Sequence, residues 1–511
     1  MSRSWHDADL VPAGRSSRES SYDEVIQDAT ALLEDGHRLA MVAAHDDDSA
    51  IRVVYVFTKG PPDVRVELVV RLDSSRPRIP SLAGVSFGAS RFEREMMDLF
   101  GIEPVDHPQP RRLVLHQHWP NGWYPMRHGA GQAPPMVENA GSYPFIPVVG
   151  PGIYEMPVGP VHAGLIEPGH FRFFVIGETI IRMKARLWFV HKGVERLLEG
   201  KTVAEGLEIA QRVSGDTAVG HSLSYALAVE EALGVVVAPD DQSVRGALLE
   251  MERIYNHVTD LGALCNDVAF SLANSFALSL RERLLRLNQE VTGHRLLRGG
   301  VVIGGSSVRR LWTVGEIDRI GEDVEGLVSM ARSNALVLDR FMGTAVLTSE
   351  DAMAMGTVGV VARASDGWFD ARVAHPFSTI PTQLQVASRP GGDVLARFDV
   401  RVEEIRNSLA MLRAWSDLES KSHGELPLVF ARGDRAQQGA TRSGLGICEA
   451  WRGALVHRVE LDEAGLLTRV KIVDPSFLNW PALPISLADT IIPDFPLANK
   501  SFNLSYAGND L

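Results

Sequence analysis

The sequence predicts an α+β chain in two parts, a small N-terminal α/β domain followed by a large, mainly helical domain with a few strands. Three observations predict it. Short β-branched runs of partly alternating pattern cluster in the first part, whereas further along apolar residues recur at intervals of three and four over long stretches. Between them lies a stretch rich in proline, glycine and histidine, Trp119 to Pro160, too irregular for a core element. At 511 residues the chain is also too long for one small fold.

Taken in order, residues 1–21 are polar and Ser/Arg-rich and read as a disordered tail. Tyr22 to Asp35 reads as a short helix. Arg38 to Ala44, Ile51 to Thr58 and Val64 to Leu72 read as strands, separated by His45-Asp46-Asp47-Asp48 and by Gly60-Pro61-Pro62. Phe92 to Gly101 reads as a helix closed by its glycine, which completes a domain spanning 22–119. Residues 120–158 form a linker or surface-hugging arm, and the second domain occupies 159–511. Its helical period runs through Val244 to Val268, Leu278 to Val291, Ile317 to Phe341 and Val394 to Trp415. Strands are expected within Phe171 to Phe189 and Ala454 to Val473.

Hydrophobic residues make up 45% of the chain and charged ones 23%, enough apolar content for packed cores and too much for general disorder. No uncharged apolar run reaches the ~18 residues a membrane helix needs, and the N-terminus has no apolar signal core. The chain is therefore expected to start and stay in the cytoplasm. A net charge of -13 without a basic block argues against nucleic acid as a partner. The 2 cysteines, Cys265 and Cys448, are too few for a disulfide framework, a tetrahedral thiolate site or an iron–sulfur cluster.

Generic catalytic patterns are absent: there is no HExxH, P-loop, GxSxG or GxGxxG after a strand, and Gly299-Gly300-Val301-Val302-Ile303-Gly304-Gly305 reads as a backbone turn. His191 and Glu195 are spaced to share one helix face. The run Glu93-Arg94-Glu95-Met96-Met97-Asp98-Leu99-Phe100-Gly101, followed by Asp106-His107-Pro108 and Arg111-Arg112, resembles the signature of the 30 kDa subunit of respiratory complex I. That resemblance implies a docking element, hence a partner rather than a reaction. Further stretches follow in order: Gly159-Pro160-Val161-His162 through Glu167-Pro168-Gly169-His170-Phe171-Arg172, His191-Lys192-Gly193-Val194-Glu195, Glu252-Arg253-Ile254-Tyr255-Asn256-His257, Gly293-His294-Arg295, Glu449-Ala450-Trp451-Arg452-Gly453 and Asp474-Pro475. From Gly159 onward the chain resembles the large subunit of formate-hydrogenlyase-type, energy-converting nickel–iron hydrogenases and the related 49 kDa subunit of complex I.

The resemblance implies a fusion of the two modules, peripheral on the cytoplasmic side of the inner membrane. It implies a small iron–sulfur subunit and antiporter-like membrane subunits as partners, with iron–sulfur clusters only in the partner. Hydrogenases of this family place Cys-x-x-Cys after an Arg-Val and again after an Asp-Pro. Here those places read Arg212-Val213-Ser214-Gly215-Asp216-Thr217 and Asp474-Pro475-Ser476-Phe477-Leu478-Asn479. Hydroxyls that do not ionise and a neutral amide cannot replace bridging thiolates, so no metal and no hydrogen activation are expected.

Complex I lacks the same cysteines and uses the vacated place for quinone, which makes a quinone the candidate ligand. Its tyrosine falls at Gly215 and the neighbouring aspartate at Ser214, so a proton donor must come from elsewhere, with His170, Asp216 and His221 as candidates. By the same resemblance Glu167 stands where hydrogenases pass protons, Arg452 where an arginine sits above the metals, and Asp474 where a carboxylate adjoins them. With His162 and His170 these form the expected catalytic set. Ser214, Asp216, Thr217, His221, Ser476 and Asn479 are expected to line the acceptor cavity. A non-catalytic structural or coupling subunit is the alternative, and an active hydrogenase would need the missing thiolates. The terminal run Asp494 to Tyr506 is expected to stay in place and pack against a partner.

Overall fold

The computed structural model describes residues 14–138, 140–141, 143–164, 166–416 and 442–511. Strands β1 (Gly14–Glu19), β2 (Arg38–Asp46), β3 (Ala50–Lys59) and β4 (Val64–Asp73) form one sheet in the order β1-β4-β3-β2. Apolar side chains of β2 to β4 bury against the helices Val25–Glu34 and Phe87–Phe100. β1 corrects the expectation of a tail through residue 21; residues 1–13 lie outside the described part. It pairs in parallel with the edge of β4 while its side chains stay largely exposed. Backbone pairing and the ion pairs of Arg15 with Glu67 and Glu231 hold it, so no apolar pattern marks it in the sequence.

Short strands β5 (Arg78–Pro80) and β6 (Glu103–Val105) pair beside the helix Phe87–Phe100. The acidic run of that helix, expected to dock a partner, is turned inward. Glu93 accepts hydrogen bonds from the Ser81 hydroxyl and the Leu82 amide, each at 2.6 Å. One Asp98 oxygen accepts from the amides of Leu113, Val114 and Leu115 at 2.8, 2.8 and 3.1 Å. Glu95 accepts from Lys471 of the second domain at 2.7 Å. Within this chain the motif is a clamp on its own second half.

The second part opens with an antiparallel meander of β7 (Ile153–Val158), β8 (His170–Ile176) and β9 (Thr179–Arg186). β7 lies inside the stretch expected to be a linker, because its mostly solvent-facing residues give no apolar alternation. The glycine-rich run is the turn of a minimal hairpin, β10 (Val301–Val302) and β11 (Gly305–Ser306). β12 (Arg442–Ala450), β13 (Gly453–Leu461) and β14 (Leu467–Val473) form a sheet buried on both faces. The helix Ala218–Leu233 lies on β12 with its backbone almost touching: a Cβ at Gly444 or Gly446 would sit 1.9 Å from the Ala228 or Ser224 carbonyl oxygen.

Long helices Pro239–Asp267, Ser271–Thr292, Val314–Ser333 and Val394–Trp415 pack into a second core. The expected helix from Ile317 to Phe341 is interrupted at Asn334, whose side chain caps a new helix, Ala335–Phe341. His191 and Glu195 do not share a helix face, because the helix begins only at Val194. The two parts are joined by buried charge pairs: Arg458–Glu67 at 2.9 Å, Arg52–Glu460 at 2.8 Å, and Lys471 between Glu95 and Glu195. Among the described residues no helix is long and apolar enough to cross a membrane.

Burial raises the Glu93 carboxyl to a pKa of about 7, against the pull of its hydrogen bonds from Ser81 and Leu82. A raised pKa favours the folded state while the group is protonated. Its contribution is complete below about pH 4.5 and is lost as pH rises through about 7. Urea unfolding between pH 4.5 and 8 should show this slope, and Glu93→Gln should flatten it.

Candidate functional site

The two tetrapeptide stretches at the hydrogenase ligand positions do meet. Ser214 and Thr217 lie at the start of the helix Ala218–Leu233, and Ser476 and Asn479 on the short helix Pro475–Asn479. The space between them is filled by the chain itself. The Ser505 hydroxyl lies 2.9 Å from that of Ser214, the Ser505 amide donates to the Ser476 hydroxyl oxygen at 2.9 Å, and the Trp480 indole donates to the Ser505 carbonyl at 3.2 Å. Asn479 is committed to the Val358 backbone, accepting its N–H at 2.9 Å and donating to its carbonyl at 3.0 Å. The donor set is three hydroxyls and an amide, each already bonded within the protein, so these residues do not fit a nickel–iron centre. The expectation of an open cavity between these four positions is thereby corrected.

An open cavity of about 480 Å³ adjoins this cluster, lined among others by His162, Glu167, Asp216, Arg452, Asn503 and Tyr506. Arg452 forks onto Asp216 with contacts of 2.8 and 2.6 Å, stacks 3.8 Å from the Trp451 ring centre and donates to the Asn503 carbonyl at 2.6 Å. Asp216 also accepts from the Ser214 and Thr217 hydroxyls, both at 2.9 Å. Burial works to raise its pKa, but Arg452 and the two hydroxyls outweigh it and hold the carboxyl at about 2. Since 39% of its side chain remains open to the cavity, Asp216 is an accessible anion.

Glu167, exposed at the rim, accepts the Ala507 amide at 2.9 Å. His162 Nδ1 faces the Pro160 carbonyl at 3.1 Å, while Nε2 is buried with no hydrogen-bond partner among the described residues. The Tyr506 hydroxyl is buried with the Asn499 side chain as its hydrogen-bonding neighbour, and the His162 and Tyr506 rings are 6.3 Å apart. Burial raises the pKa of this phenol, so it holds its proton at neutral pH.

Two expected members lie elsewhere. Asp474 is buried behind the cavity, where it caps the helix Pro475–Asn479 through the Ser476 amide and faces His221 at 3.3 Å. Burial opposes its ionisation, yet His221 and Arg452 keep its pKa below the usual carboxylate range. His221 itself is fully buried against His457. His170 points to the other side of β8, into a different cavity, because neighbouring strand residues face opposite ways: Gly169 packs on the Tyr506 ring and His170 turns from it. Tyr506 is a site residue that sequence reasoning misses. The terminal segment packs on this chain: Phe495, Leu497 and Ala498 are buried in its cores, Asp510 accepts the Val190 amide and Leu511 accepts those of Lys192 and Gly193.

Residues 20–133 match the family described as respiratory-chain NADH dehydrogenase, 30 Kd subunit, and residues 267–424 the 49 Kd subunit of the same enzyme. Formate hydrogenlyase subunit 5 of Escherichia coli is 32% identical over 460 residues, a match that covers 86% of this chain and 78% of that protein. The NADH-quinone oxidoreductase C/D protein of Phocaeicola vulgatus is 27% identical over 368 residues, covering 67% of this chain and 70% of that one. A chain from the solved membrane-bound sulfane sulfur reductase, an archaeal respiratory membrane complex, shares the fold with a TM-score of 0.61 at 21% identity, over 70% of this chain and 99% of that chain.

The Arg452 fork is open to direct test. Arg452→Lys keeps the charge but loses the bidentate contact and the Trp451 stacking, and should lower the unfolding free energy in urea by about 2 kcal/mol. Unchanged stability would remove the fork from the elements that hold this site.

Proposed function

The chain belongs to the family of formate hydrogenlyase subunit 5, with modules of the complex I 30 and 49 kDa families, and on that footing we propose that its cavity passes electrons to a quinone or another small acceptor, coupled to ion translocation. It is a peripheral subunit of a membrane-bound complex of this kind. In the proposed arrangement it sits on the cytoplasmic side, next to a small iron–sulfur subunit that supplies the electrons and above antiporter-like membrane subunits. No nickel–iron chemistry is proposed for it.

One observation carries the reading: His162 and Tyr506 line one cavity together with the Asp216–Arg452 pair, and among the described residues His162 Nε2 is buried there without a hydrogen-bond partner. Buried polar atoms without partners are rare; with Nδ1–H donating to the Pro160 carbonyl, the neutral His162 ring presents Nε2 as an acceptor, which a ligand hydroxyl would satisfy. A quinone takes up two electrons and two protons to become a quinol. Tyr506, and His162 when both its nitrogens are protonated, would hand protons to its oxygens, Asp216 would hold the positive field of Arg452 in place, and Glu167 would exchange protons with water at the rim. The same Ser505 plug favours a second reading, a non-catalytic coupling subunit whose former metal site is only a structural joint.

Electron transfer to a soluble quinone analogue in the purified native complex separates the two. Tyr506→Phe and His162→Gln should each slow it by about a hundredfold if they act as proton donors. Unchanged rates would leave the coupling reading. Nickel bound in stoichiometric amount to this subunit would overturn both.

A further inference from the structure

A second cavity, about 510 Å³ in volume, lies between the β7–β9 meander and the segment 116–145. Strand geometry builds its floor. His170 and Arg186 are direct cross-strand partners on β8 and β9, and Arg172 and Lys184 are the pair two residues along. Residues two apart on a strand share a face. One face of the hairpin therefore sets an imidazole opposite a guanidinium and a guanidinium opposite an ammonium, although like charges directly opposite one another destabilise a sheet.

These groups are only partly answered. Arg172 reaches Glu155 at 2.8 Å, and Lys184 donates to the Ile146 carbonyl. Arg186, 5% exposed, donates to the carbonyls of Leu113 and Leu115 and lies 4.7 Å from the centre of the Tyr143 ring. Among the described residues no carboxylate comes within ion-pair distance of it, and its neighbour Asp98 is spent on three backbone amides. Among the described residues, the Nε atoms of Arg186 and Arg172 and Nε2 of His170 are buried without hydrogen-bond partners. No carboxylate among the described residues lines the cavity, which His116, Tyr143 and Phe145 help to close. Burial, reinforced by Arg186, lowers the His116 pKa to about 4, and burial lowers that of His170, so both rings stay neutral beside the arginines. A guanidinium taken out of water without a counter-charge is strongly unfavourable, and a bound anion supplies what the protein leaves out.

We propose that this cavity binds a small organic anion, a carboxylate or phosphate whose oxygens accept from Arg186 and Arg172 and whose body lies against Tyr143 and Phe145. The site is separate from the Tyr506 cavity, since β8 runs between them, and it does not depend on the acceptor reading.

Isothermal titration of the full chain with inorganic phosphate and with benzoate, at constant ionic strength, tests it. At least one probe should bind at one site per chain, phosphate pointing to a phosphoryl ligand and benzoate to a carboxylate. Arg172→Gln should weaken that binding by about tenfold or more. Arg182→Gln, an exposed change outside the cavity, should leave it unaltered. Arg186 is left in place because its two carbonyl contacts hold the segment 113–115. Failure of both probes to bind overturns the proposal. So does equal weakening in the Arg172 and Arg182 variants, which would reveal only a diffuse surface field.

Discussion

The sheet β12–β14 is the constraint on which the rest of the molecule depends. It is buried on both faces, so each face must find its own partner layer. Along β13, Val459 and Leu461 pack with the core under the helix Ala218–Leu233, while Arg458 and Glu460 on the opposite face pair with the N-terminal sheet. The end of β12 and the turn into β13 carry Trp451 and Arg452 to the cavity. A single three-stranded plate thus fixes the docking of the two domains and the position of the site at once. The price is that charged side chains of this plate leave water in the middle of the molecule, Arg458 against Glu67 and Glu460, and Lys471 against Glu95 and Glu195.

Polar groups in the cluster of Ser214, Thr217, Ser476 and Asn479 are likewise paired. Hydroxyls left alone between two helix starts would be desolvated without return. Ser505 enters from the terminal segment and satisfies both sides, while Asp216 gathers the remaining hydroxyls under the Arg452 fork. The hydroxyls of Ser214 and Ser476 are satisfied through Ser505, whereas a short way off His162 Nε2 has no partner among the described residues. That contrast divides the region into a structural joint and a cavity with unmet hydrogen-bonding capacity.

Regular elements with a strong period are legible in the sequence. The helix Val394–Trp415 and the strands β2 to β4 fall where apolar spacing puts them, because burial of one face is what that spacing encodes. β1 and β7 are not legible, since they are held by backbone pairing and keep their side chains in solvent. At the site, Ser214, Asp216, Thr217, Ser476 and Arg452 come together as the motifs imply. Asp474 and His170 depart because the direction in which a side chain leaves a strand or a helix cap is set by register, which the motif does not contain. Tyr506 is beyond reach for another reason: its contact with His162 joins opposite ends of the second domain, and local pattern carries no information about such a pair.

Ser505 has one more consequence. A dissociable occupant of such a pocket must be supplied from solution, and its occupancy rises and falls with its concentration. Ser505 is tethered to the walls it bridges, so its effective concentration is set by the chain and not by the cell. The joint at Ser214 and Ser476 is therefore assembled by folding itself, at the same stoichiometry in every molecule, and is indifferent to metal supply.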